Sequence, residues 1–538
     1  MKASRTNEPW LRGTRTARAA ATFGAALGTA VTPTALAALL AAVVACGPVA
    51  HATGVRAQVR AYRETHEKQI LEEFSRLLAM PNVATQVADI EVNAEFISHE
   101  LTRRGFATRL LAAAPGTPPA IYGELPARGA RRTLIFYAHY DGQPVSQPEW
   151  RSSPWNATVR EGKRATDSRD VDWRSAARID PEWRIYARAS SDDKLPIQAM
   201  LTALDALEAA GRRPTVNVKV FYEGEEEQGS PHLAEILGRN RDLLRGDVFV
   251  LSDGPRHQSG RMQVFFGARG TSDLELTVYG PARPLHSGHY GNWAPNPAVM
   301  LTHLIDSLRD EDGRILIPGY YDDVRPLTPA ESSALAALPD VETGLKEELA
   351  LGRTEGTERL ASSIARPAIN VRGIRFGDVT DAAANAISTE ARASFDFRLV
   401  PDQTPRRVRE RTEAFLREKG WELVGQDPDA ATLRAHPRVA KLLWRLGYPG
   451  YRADMNAPAA RAVVASIERA TGAEVLRMPM LGGSVPMSTF ADALGVPIIG
   501  VPLANYDNNQ HAANENLRLQ NLWDGIDIYG GLLTDVSW

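Results

Sequence analysis

The chain has 538 residues, with 62 Lys+Arg against 65 Asp+Glu, a formal net charge of -3, 43% hydrophobic residues and a single cysteine. That length allows two or three domains around a large core, the charge balance leaves no basic excess to hold nucleic acid, and the composition argues against disorder. The lone Cys46 excludes an internal disulfide framework and any metal site built from several thiolates, so a metal here must be held by His, Asp and Glu.

In chain order, Lys2, Arg5, Arg12, Arg15 and Arg18 precede an Ala-rich apolar run that ends Val43-Val44-Ala45-Cys46-Gly47. Basic region, short apolar region and small residues at a cut site are the order of a bacterial export signal. The run resembles a lipoprotein box, which predicts removal of 1–45, lipidation of Cys46 and an exported protein of the periplasm or cell envelope. The alternatives are ordinary cleavage after Ala50-His51-Ala52 and a buried or spanning Ala-rich helix, although its apolar part is short for a span. From Val55 the pattern is globular. Amphipathic helices are predicted over 59–80 and 90–105. The apolar run 133–138 reads as a strand buried on both faces and runs into His139-Tyr140-Asp141-Gly142. A charged stretch, 164–180, reads as a surface loop without an assigned role. A helix over 195–210 follows Asp192-Asp193-Lys194. Strands over 216–222 and 248–251 run into Glu223-Gly224-Glu225-Glu226-Glu227 and Ser252-Asp253-Gly254. Next come an alternating strand at 274–278, a helix over 297–308, and a Glu-, Leu- and Ala-rich helical elaboration over 320–365. A last strand, 495–501, leads to a loop with His511.

Strands alternating with helices predict an α/β sheet with a parallel core, and in such sheets ligands bind at the carboxyl ends of the strands. Four separate strands deliver His, Asp or Glu to that end or to the loop beyond it. Singly, each has a plainer reading: a satisfied surface pair at His139 and Asp141, a solvated acidic loop at 223–227, a helix first turn at 192–194, a turn-forming Asp253, an exposed His511. All five would have to hold together at equivalent strand ends.

The strings FYAHYDGQP (136–144), YARASSDDK (186–194), YEGEEEQGS (222–230), LSDGP (251–255), PLHSGHYGN (284–292), FDFRLVPDQTP (395–405), LGGSVP (481–486) and QHAANE (510–515) carry a resemblance. In order and over nearly the whole mature chain they are similar to the cocatalytic dizinc metallopeptidases that include carnosine-type dipeptidases, carboxypeptidase G and aminoacylase, with the dipeptidase-like branch fitting best. The resemblance implies a mixed, largely parallel sheet with helices on both faces, in two parts (53–261 and 430–538), around an inserted smaller α/β sandwich (262–429) that serves as lid and homodimer interface. It implies two Zn2+ per chain, with Mn2+ or Co2+ as alternatives. Asp192 bridges the pair, Glu227 and His511 complete one side, and His139 and Asp253 the other. By the same resemblance Asp141 orients His139, Glu226 is the general base, and His286 stabilises the oxyanion from its own or the neighbouring subunit. Arg398 clamps the substrate carboxylate, and Gly482, Gly483 and Ser484 hold substrate through backbone N–H groups; the plainer readings are a helix-capping or turn histidine at 286, a strand-edge salt bridge at Arg398 and a plain loop at 482–484.

The implied activity is hydrolysis of an amide bond in dipeptides or short peptides with a free C-terminal carboxylate. An N-acyl amino acid deacylase and an inactive envelope-anchored peptide-binding protein are the alternatives, and the only membrane contact expected is the N-terminal lipid. Two departures stand out: Ala187-Arg188-Ala189 replaces the family's Gly-Arg-Gly, and Leu195 replaces a glycine. An alanine forced to positive φ at these places would be strained.

Overall fold

The computed structural model of the chain describes residues 54–162 and 168–538. Cys46 and the basic and apolar run before it lie outside these residues. The apolar run around Phe136 forms the strand Thr133–His139 in the middle of an eight-stranded sheet. Its side chains alternate between two cores, Leu134, Phe136 and Ala138 on one face and Ile135 and Tyr137 on the other, which is why it reads as continuously apolar. It is flanked in parallel by Asn217–Glu223 and Val248–Leu251, and Val248–Leu251 in turn by Ile498–Gly500. Antiparallel partners lie farther out on both sides, Ala120–Leu125 with Ala107–Leu111 at one edge and Gln263–Phe265 towards the other. The sheet is mixed with a parallel centre, as expected.

Helix Lys194–Ala209 is buried on almost every side because it lies between the sheet and the helices Val55–Leu78 and Leu519–Thr534. The opposite face is covered by Leu233–Arg239 and Met487–Leu494. There the Phe490 ring lies 5.0 Å from Tyr137 and 4.5 Å from Phe249, and burying such a ring stabilises the fold by about 1.5–3 kcal/mol.

A second sheet of five strands runs in the order Ala368–Arg375, Glu390–Leu399, Gly270–Tyr279, Val439–Leu446, Glu422–Val424. Its inner side chains, among them Leu274, Leu276 and Phe395, pack under the helices Pro297–Leu308 and Pro405–Glu418. The strand Val439–Leu446 belongs to this sheet although it lies beyond residue 429, whereas Gln263–Phe265 pairs within the larger one. Gly270 marks the crossing between the sheets: a Cβ there would lie 2.2 Å from the Tyr448 carbonyl oxygen, so only glycine fits. Among the described residues no helix is long and apolar enough to cross a membrane.

Candidate active site

The parallel strands end on one edge, and the acidic and imidazole groups gather there. His139 closes its own strand. Its Nε2 lies 3.1 Å from Asp192 Oδ1, and its Nδ1 lies 3.4 Å from Asp141 Oδ1. His511 Nε2 sits 3.0 Å from Asp192 Oδ2 and 3.3 Å from Glu227 Oε2. Two groups of three potential ligands result, His139 with Asp192 and Asp253, and Asp192 with Glu227 and His511. In each the ligand atoms lie within 4.8 Å of one another, and the two groups share Asp192. Asp141 does more than face His139. Its two carboxylate oxygens accept the backbone N–H of Glu226 at 3.2 Å and of Glu227 at 3.0 Å, fixing the acidic turn after Asn217–Glu223.

The loop bearing Asp192 is held from the far end of the chain. Strand Asn516–Arg518 pairs antiparallel with Arg184–Tyr186, setting Asn516 opposite Tyr186 and so bringing Glu515 beside the turn at 187–192. The Glu515 carboxylate is fully buried. It accepts from Ala189 N, Ser191 N, Ser191 Oγ, Asp192 N and Arg188 Nη1, all at 2.8–3.0 Å. Ala189 adopts φ 60 within that cradle, the left-handed conformation anticipated for the glycine it replaces; Ala187 and Leu195 do not. Gln143 Nε2 donates to Glu227 Oε2 at 2.7 Å, and Gln510 Nε2 reaches Asp192 Oδ2 at 3.4 Å.

The electrostatics are those of a pocket with too much negative charge. Burial, reinforced by the Asp192 charge, pushes Glu227 up to about 7 and Asp253 up to about 6. Burial, with the neighbouring acids, also raises Glu226 well above the usual carboxylate range. Burial opposes ionisation of Asp192 too, but hydrogen bonds from His139 and His511 hold it below that range. The hydrogen bond to Asp192 lifts His511 to about 9. Two imidazoles are too few for this concentration of acids, and oxygen and nitrogen ligands in two triads sharing a carboxylate suit a pair of divalent cations.

A cleft of about 580 Å³ opens beside these groups. Asp192, Glu226, Glu227, Asp253 and His511 line it on one side, and Arg398, Gly482, Gly483 and Ser484 on another. Arg398, from strand Glu390–Leu399, donates through Nη1 to Ser484 Oγ at 2.8 Å and pairs with Asp396 at 2.6 Å. Arg269, which sequence reasoning missed, donates to the Gly482 carbonyl at 2.9 Å, and burial together with the Arg398 charge lowers it to about 10. His286 is not brought into this cleft. It is exposed in a short ladder with Ala386–Ile387, accepts from Gly288 N and stands 4.6 Å from the His289 ring. Glu515, Gln143, Gln510 and Arg269 were not singled out in the sequence, although Glu515 and Gln510 lie inside the QHAANE string and Gln143 inside FYAHYDGQP.

The model of peptidase family M20/M25/M40 matches residues 135–535. The Cys-Gly metallodipeptidase dug1 of Schizosaccharomyces pombe is 24% identical over 479 residues, covering 86% of this chain and 94% of that protein. The Beta-Ala-His dipeptidase of Rattus norvegicus is 26% identical over 431 residues, covering 78% and 80%. Among solved structures, an M20 family metallo-carboxypeptidase of Sulfolobus solfataricus superposes with a TM-score of 0.71 at 28% identity, over 86% of this chain and 98% of that one. These relatives correct the expected localisation. The dipeptidases of Schizosaccharomyces pombe and Rattus norvegicus are proteins of eukaryotes, so an exported, lipid-anchored protein of a bacterial envelope is not supported. The basic-then-apolar order of 1–46 is a compositional signal only, and Cys46 keeps no assigned role.

Proposed function

The chain belongs to peptidase family M20/M25/M40, and from that membership we propose that it hydrolyses dipeptides or short peptides with a free C-terminal carboxylate, using two Zn2+ ions held by His139, Asp192, Glu227, Asp253 and His511. The observation that carries the proposal is the pair of ligand triads meeting at Asp192. When bound, two divalent cations acidify water and polarise the scissile carbonyl. Glu226 accepts a proton from the attacking water at its carboxylate and returns it to the leaving amine. Asp141 orients His139 and positions the Glu226 backbone, so one carboxylate sets both a ligand and the base. Arg398, with Ser484 and the Gly482-Gly483 backbone, holds the substrate carboxylate in the same cleft. His286, exposed and outside the cleft of its own chain, serves the neighbouring subunit of a homodimer as its oxyanion donor.

Both curated relatives described above carry dipeptidase names, which favours dipeptides over N-acyl amino acids. Glu226→Gln tests the mechanism. The variant should retain about two metal ions per chain and lose roughly 10²–10⁴-fold in turnover. Undiminished turnover, or a purified wild-type chain without metal, refutes it. Assaying dipeptides beside N-acetyl amino acids separates the two substrate readings.

A further inference from the structure

The third wall of the cleft comes from the elaboration that the sequence left without a function. Three short helices, Pro329–Ala336, Glu342–Glu348 and Leu360–Ile364, fold against the site. They are pinned rather than loosely laid on. The capping box between Thr328 and Glu331 starts the first helix, and Glu331 pairs with the buried Arg452 at 2.8 Å. Arg359 Nη2 donates to the Leu338 and Pro339 carbonyls at 3.2 and 2.8 Å. Glu342 Oε1 accepts from both Arg359 Nε and Leu360 N, at 3.3 and 3.1 Å. These bonds tie Arg359 and Glu342, which also line the cleft, to each other and to the backbone of the wall, and beside this pair the wall presents apolar side chains.

Leu338, Leu360, Ala361 and Ile364 all line the cleft, and Leu360 remains 37% exposed. Ile364 lies directly over Gly482: a Cβ built on that glycine would sit 3.2 Å from Ile364 Cδ1. Ser484, two residues on, holds Arg398. The apolar surface therefore adjoins the carboxylate clamp, and the substrate atoms nearest a C-terminal carboxylate are the side chain of that same residue.

We propose that helix Leu360–Ile364 forms the pocket for the side chain of the substrate's C-terminal residue and selects dipeptides ending in leucine-like apolar residues over those ending in glycine or a charged residue. This rests on the dipeptidase reading above. A leucine side chain gains about 0.8 kcal/mol for each CH2 it removes from water, and pockets of this kind discriminate by roughly 10–200-fold per methylene at most.

The test uses the full chain loaded with Zn2+ and compares kcat/KM for Ala-Leu, Ala-Gly and Ala-Lys. The wild type should prefer Ala-Leu over Ala-Gly by at least about tenfold. Ile364→Ala and Leu360→Ala should each shrink that ratio several-fold. Leu360→Glu, a change at an exposed position, should raise the Ala-Lys to Ala-Leu ratio by a similar factor, a gain that misfolding cannot imitate. A wild type indifferent to the C-terminal side chain, or ratios unmoved in all three variants, overturns the inference while leaving the hydrolase reading intact. A wild type that cleaves none of the three overturns both.

Discussion

Replacing Glu515 by Gln tests whether the cradle under Asp192 is structural. The carboxylate is fully buried and accepts five hydrogen bonds, three on Oε1 and two on Oε2. An amide nitrogen placed at either oxygen faces at least two donors and can accept from none of them. Arg188, itself buried, simultaneously loses its counter-charge at 2.8 Å. Stripping one partner from a buried ion pair costs about 3–5 kcal/mol, and each N–H left unpaired in the interior adds about 1–3 kcal/mol. The net expectation is a loss of at least about 3 kcal/mol in denaturant-induced unfolding of the metal-loaded chain. Because the groups released are the backbone of 189–192, zinc affinity should fall as well, by about 10–100-fold as for other groups that orient ligands. Equilibrium denaturation and a competitive chelator titration read the two effects. A variant within about 1 kcal/mol of wild type, with zinc affinity unchanged, refutes the reasoning.

Other outcomes are expected on the same footing. Ala189→Gly should stabilise the chain by up to about 1 kcal/mol, because alanine at φ 60 costs about 1–2 kcal/mol and the added chain entropy of glycine takes back only part of it; chemical denaturation midpoints check this. Glu223 is buried, bonded to the Tyr137 hydroxyl at 2.9 Å and pushed up to about 8 by burial and the nearby acids. A carboxyl raised in the folded state favours folding fully below its unfolded pKa of about 4.3, and that contribution disappears as pH rises through 8. Glu223→Gln should therefore gain stability relative to wild type at pH 8 compared with pH 5, and an equal difference at both values would refute it. Arg398→Ala should lower kcat/KM for dipeptides roughly ten- to hundredfold by raising KM, the effect of losing a charged hydrogen bond, and a dipeptide amide should show little change.

The strands and the gathering of His, Asp and Glu at their ends were legible because both follow local rules, whereas the assignment of metal ligands rested on the family resemblance. Continuous apolar runs around Phe136, Phe221 and Phe249 announced buried parallel strands, and each ended in a polar group at the edge where such sheets bind ligands. Glu515 was not legible in the same way. Its partners lie 323–327 residues away, and only the pairing of Asn516 with Tyr186 brings them together. The wall around Leu360 escaped for a related reason: helices this short take their position from tertiary contacts rather than from an amphipathic pattern. Of the three departures from the family's glycines, only Ala189 turned out to carry the positive φ considered for them, because the Glu515 cradle fixes its turn. The N-terminal segment misled because a basic and apolar composition was weighed without the relatives that corrected it.

The cradle also sets a clock. A growing chain that has reached residue 510 already contains His139, Asp192, Glu226, Glu227 and Asp253, but neither His511 nor the carboxylate that fixes the Asp192 turn. At about 5–20 residues per second, the 327 residues between Arg188 and Glu515 take roughly 15–65 s to synthesise. Throughout that interval the nascent polypeptide lacks both His511 and the Glu515 carboxylate, so under the proposed ligand set its hydrolytic centre is completed only in the last stretch of synthesis.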